Sequence, residues 1–84
     1  MSRERVRDIA VDFDPVGVGR RIRHARKVRE WRQGDLARAT GLSTGLISCY
    51  ELGLRTPRLV NMLRIAAAVR RSLDYLVTGR GERN

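Results

Sequence analysis

Apolar residues recur along this chain at helical spacing. Val18, Ile22, Ala25 and Arg26 fall on one face of a helix whose N-cap and first residue are supplied by Asp14 and Pro15. The pattern ends this first helix near Glu30, and Gly17 and Gly19 weaken its first turn and favour a later start. A second short helix fits Gln33 to Thr40, with Leu36, Ala37 and Thr40 inward and Gly41 as its left-handed stop. Ser43 is a good N-cap for a third helix through about Tyr50, whose buried face is Leu46 or Ile47 together with Tyr50. Gly53 closes it. Thr56 and Pro57 repeat the cap-then-proline start, and Leu59, Met62, Leu63, Ala66 and Val69 make the clearest amphipathic stripe in the chain. Ser72 caps a last helix, Leu73 to Val77, stopped at Gly79. No segment inside 17–79 alternates, so the expected fold is all-α, with five short helices over residues 15–79. Residues 1–14 form an N-terminal arm in which Ile9, Val11 and Phe13 alternate with polar positions, a pattern suited to an extended segment laid on its own domain or on a partner. Residues 80–84 are a polar tail.

Composition narrows the class. Eighty-four residues, 42% of them apolar, support one modest core and exclude a two-domain enzyme. No apolar run approaches the roughly 20 residues that span a bilayer, and Met1 to Val11 mixes Arg and Glu without a signal-peptide stretch. The expectation is a soluble, cytoplasmic protein with no membrane partner. A single cysteine, Cys49, forms no internal disulfide, and with one histidine, His24, it makes no four-ligand zinc site. No metal or cofactor is expected. Neither paired carboxylates, a nucleophile with its base, nor a phosphate-binding glycine loop can be assembled, so the chain does not read as an enzyme.

Charge changes the picture most. The net charge is +9, but residues 1–16 carry three Arg and four acids, while residues 17–84 carry fifteen basic and five acidic groups. The excess sits on the helical body, where it signals a polyanionic partner such as nucleic acid or an anionic membrane surface. A generic solubility charge is the plainer alternative. Seventeen of the eighteen cations are Arg, which favours bidentate phosphate and guanine contacts, although genomic base composition produces the same bias.

The segment from Gln33 to Glu51 is two short helices joined by a turn of about three residues. Ala37 is small where a second helix crosses closely, Gly41 supplies positive φ, and Leu42, Ile47 and Tyr50 plug the angle between the helices. Alone, that spacing is weak. It comes with Gly19, Ile22 and Arg26, with Gln33 and Leu36-Ala37, with Gly41-Leu42-Ser43 and Ile47-Ser48, and with Glu51, Gly53, Arg55 and Pro57. Ile65-Ala66, Ser72 to Leu76 and Gly79 complete the set. On these residues the chain, from about Val18 to Gly79, resembles the Cro and phage-repressor family of helix-turn-helix proteins, of the xenobiotic-response-element type.

The resemblance implies a lambda-repressor-like DNA-binding domain in which the helix at 43–51 lies in the major groove of double-stranded DNA. By that analogy Thr44, Gly45, Ser48 and Cys49 face the bases. The set is chemically poor: two hydroxyls, a thiol and a glycine stand where relatives often carry Gln, Asn or Arg. Either the backbone comes close to the DNA at Gly45, or specificity shifts to Arg55, Arg58 and DNA shape. The resemblance places Arg32, Gln33, Ser43, Arg55 and Arg58 at phosphates, and pairs Arg26 with Glu51 as an internal ion pair. Arg20, Arg21, Arg23 and Arg38 are as well explained as solvated surface, and so is His24. Arg70 and Arg71 receive no functional account. Cys49 admits a redox reading, in which oxidation blocks DNA binding, beside the plainer one of a small residue filling a surface slot.

The function implied is a sequence-specific transcriptional regulator, a repressor acting as a homodimer on a pseudo-palindrome and associated with the nucleoid. The last helix, with Leu73, Tyr75, Leu76 and Val77, is the expected self-contact, although part of it must close the core. An antitoxin-like interaction protein is the alternative, with residues 1–16 binding a toxin partner while the same fold regulates its own operon.

Overall fold

The structure, a computed structural model, describes residues 13–81; the arm before Phe13 and residues 82–84 of the tail lie outside the described residues. Five helices follow one another as α1 (Pro15–Val28), α2 (Gln33–Thr40), α3 (Thr44–Glu51), α4 (Leu59–Val69) and α5 (Leu73–Thr78), with no strand among the described residues. This is the all-α, five-helix architecture that the periodicity predicts.

Helix α1 starts at Pro15 and not later, with the Asp14 carbonyl accepting the Val18 N–H at 2.9 Å. The second of its early glycines is there for packing. A Cβ on Gly19 would lie 2.6 Å from the Glu51 carbonyl oxygen and would strike that of Tyr50 as well, so only a glycine lets α1 reach the C-terminal end of α3. The helix ends at Val28, two residues short of Glu30, because Arg29 and Glu30 turn back to bond the Arg26 and Lys27 carbonyls and Glu30 takes φ 61°.

Local signals set the next two helices. The Asp35 carboxylate accepts the Arg32 backbone N–H at 2.8 Å, closing the start of α2, and Gly41 at φ 77° ends it. Ser43 Oγ accepts the Leu46 N–H at 3.0 Å and opens α3 only a few residues later. Of the two candidates for the inner face of α3, Ile47 is fully buried with Tyr50, while Leu46 is half-buried.

Helix α4 departs from expectation twice. It begins at Leu59 with Arg58 as N-cap, so Thr56 and Pro57 stay in the preceding loop. The buried stripe is Met62, Ile65, Ala66 and Val69, while Leu59 and Leu63 are exposed, by 66% and 48%. Both sets satisfy the i, i+3, i+4, i+7 rule. With apolar residues nearly all round, the helix has two possible faces, and the spacing alone does not choose between them.

Ser72 Oγ accepts the Tyr75 N–H at 2.9 Å to start α5, which runs to Thr78 and stops at Gly79 (φ 81°). Leu76 is fully buried and Leu73, Tyr75 and Val77 pack half-buried on the core, so α5 spends its apolar face inside its own domain. Arg21 fixes it from α1, donating through Nε to the Leu76 carbonyl at 2.9 Å and through Nη2 to that of Val77 at 3.0 Å. Those two carbonyls lie in the last turn, where the helix supplies no N–H to them. The core, centred on Val18, Ile22, Leu36, Ile47, Ile65, Val69 and Leu76, joins α1 to α3, α4 and α5, and α4 to α2 and α5.

Candidate nucleic-acid interface

Helix α3 is held by its second half. Arg26 on α1 clamps Glu51 bidentately, Nε to Oε2 at 2.7 Å and Nη2 to Oε1 at 2.9 Å, with side chains only 8% and 3% exposed. The third guanidinium nitrogen donates to the Trp31 carbonyl at 2.7 Å, so the buried cation is satisfied on three sides. Hydrogen bonding to Glu51 outweighs desolvation and holds the Arg26 guanidinium above its ordinary pKa. Gln33 Nε2 donates to Glu51 Oε1 at 3.1 Å, which ties the start of α2 to the same carboxylate. On the other side of α3, the Tyr50 hydroxyl accepts from Asn61 Nδ2 on α4 at 3.0 Å.

The first turn of α3 is free. Ser43, Thr44 and Gly45 are exposed, and Ser48 and Cys49, one turn on, are half-buried. A Cβ built on Gly45 meets nothing within 4 Å, so no contact inside the domain requires a glycine there. Thr44 and Gly45 occupy the exposed first turn of α3, while Gln33, at the start of α2, is bonded to Glu51 at the far end of α3 and shares a cleft with Ser48. Those helix starts direct unpaired backbone N–H groups outward, which favours anions.

The arginines divide by what they already hold. Arg21 and Arg26 are structural, and Arg38 pairs with Asp35 across one turn of α2 at 2.6 Å on the surface. Arg29 lies over the Trp31 ring, 4.8 Å from its centroid. Among the described residues, the guanidinium groups of Arg20, Arg23, Arg32, Arg55 and Arg58 have no hydrogen-bond or ion-pair partner, and all five side chains are exposed. Arg55 and Arg58 stand in the loop that follows α3, with Arg58 capping α4. Sequence reasoning missed the Arg21 contact, since 55 residues separate it from Leu76 and no local pattern marks it. It also missed Asp35, although an acid at the third position of a helix is a readable cap signal.

Comparison with known proteins agrees with this geometry. A helix-turn-helix family model matches residues 22–76. The chain is similar to the P22 c2 repressor solved with a synthetic operator, at 36% identity and a TM-score of 0.73 over 75% of this chain and 96% of that one. It is similar also to the restriction-modification controller protein C.AhdI of Aeromonas hydrophila, at 33% identity and a TM-score of 0.72 over 75% and 96% of the two chains. The solution structure of the P22 c2 DNA-binding domain gives 34% identity and a TM-score of 0.70 over 80% and 90%. No curated protein matches significantly. No helix among the described residues is long and apolar enough to cross a membrane.

Proposed function

The chain belongs to the Cro/C1-type helix-turn-helix family of DNA-binding regulators, and from that premise we propose that it is a sequence-specific transcriptional repressor that reads the major groove with residues 43–51 as a homodimer. The observation that carries this reading is the division of α3, one end locked by a buried ion pair and the other exposed, on a domain whose Arg32, Arg55 and Arg58 side chains are exposed and unpartnered. Thr44, Gly45, Ser48 and Cys49 face the bases. Gly45 lets the backbone approach the DNA, because nothing within the domain needs it. Arg32, Gln33, Ser43, Arg55 and Arg58 hold phosphates and set register.

A dimer needs a self-complementary surface. Helix α5 has little apolar surface left, whereas Leu59, Val60 and Leu63 leave α4 an exposed stripe within two turns, on a helix with no acid and Arg64 as its one charge. We assign the self-contact to that stripe. The antitoxin-like reading gains nothing from the structural neighbours, which are repressor and controller proteins. The cytoplasm, where DNA is reached, is the compartment this role requires.

Selection of binding sites from random duplex DNA at two salt concentrations tests the proposal. The expected product is a half-site repeated about one helical turn apart. The six contacts per dimer made by Arg32, Arg55 and Arg58 contribute about −5 to the slope of log K against log salt. Binding without sequence preference contradicts the reading.

A further inference from the structure

An open cleft of about 220 Å³ lies where α1, α2 and α3 meet, lined by Arg23, Arg26, Gln33, Ser48, Glu51 and Leu52. Its floor is the Arg26–Glu51 pair, whose charges cancel. Gln33 spends one amide hydrogen on Glu51 and keeps a second, and the Ser48 hydroxyl makes no side-chain hydrogen bond among the described residues, so both are neutral donors open to a ligand. Leu52 adds an apolar wall. Without Arg23 the cleft has donors but no net charge. Arg23 is exposed, its guanidinium unpartnered, and it stands one turn before Arg26 on the same face of α1.

We infer that Arg23 binds a DNA backbone phosphate at the mouth of this cleft, with the free amide hydrogen of Gln33 donated to the same group. The inference rests on the DNA-binding reading and adds α1 to a surface otherwise built from α2, α3 and the loop after α3. A phosphate held there is tied to α1 through Arg23 and to α2 through Gln33, which is itself bonded to Glu51 of α3, so it fixes the depth at which α3 sits in the groove. It also separates Arg23 from Arg20, one turn earlier on α1 and not part of the cleft.

The test uses the full chain, its selected operator and a random duplex of equal length, with binding measured across salt. Arg23→Gln is expected to reduce the salt slope by about one unit per protomer and to weaken operator and random DNA by the same factor. Arg23→Lys keeps the charge and is expected to keep the slope. Thermal unfolding of both variants should match the parent, because Arg23 has no partner in the free protein. Arg80→Gln, outside the cleft, is the control and should leave the slope unchanged. A parental slope and affinity in Arg23→Gln, alongside a reduced slope in Arg55→Gln, overturns the inference while the DNA-binding reading stands. A parent protein with no sequence preference overturns both.

Discussion

The two ends of α3 are built on opposite principles. At the C-terminal end Ile47, Tyr50 and Glu51 are buried, a bidentate ion pair joins α3 to α1, and Gly19 lets the two backbones come within Cβ distance. At the N-terminal end a serine cap is followed by an exposed threonine and by a glycine with open space around it. A recognition element needs both properties in one helix. Rigidity costs nothing in access when it is supplied from behind.

The comparison is broken most forcefully at the locked end. Arg26→Ala leaves Glu51 buried without its cation and is expected to cost about 3–5 kcal/mol in chemical denaturation. Replacing both Arg26 and Glu51 by apolar residues of similar volume should recover part of that loss, since the penalty lies in the orphaned charge. A raised guanidinium pKa means that its stabilising contribution is complete at and below neutral pH and is lost only as the pH climbs through the strongly alkaline range. The Arg26→Ala deficit from this source is therefore expected to be equal at pH 6 and pH 8.

Gly19→Ala comes next. Alanine is the better helix former by about 1 kcal/mol, yet a methyl at this position overlaps the α3 backbone, and overpacking of that kind costs about 1–3 kcal/mol. A lowered melting temperature checks it. Ser43→Ala removes the bond to the Leu46 N–H and is expected to cost about 1 kcal/mol. The smallest stability effect is at the free end: Gly45→Ala should stabilise the domain by about 0.5–1 kcal/mol. The same methyl should weaken operator binding by about tenfold, the scale of one mismatched base pair. A stabilised variant with unchanged affinity and selectivity would place specificity in Arg55, Arg58 and DNA shape.

Much of the scaffold was legible because its signals are local. Serine caps at Ser43 and Ser72 and glycine stops at Gly41 and Gly79 act within a few residues, and they set α2, α3 and α5 closely. Helix α4 was legible as a helix but not in its rotation, because Leu59 and Leu63 fit the same rule as Ile65 and Met62. The reason for Gly19 was hidden, since it depends on a backbone more than thirty positions away. Within the candidate site, the Arg26–Glu51 pairing came from family resemblance, not from spacing. Arg21 was one of four similar arginines on the sequence, and only the fold shows it holding the end of α5 while Arg23 is left open.

Methylation protection on the selected site tests the central claim most directly, because guanine N7 lies in the major groove and adenine N3 in the minor groove. With the free end of α3 as the reader, guanine N7 should be protected in both half-sites, about one helical turn apart, with adenine N3 between them accessible. Protection confined to adenine N3 would contradict it.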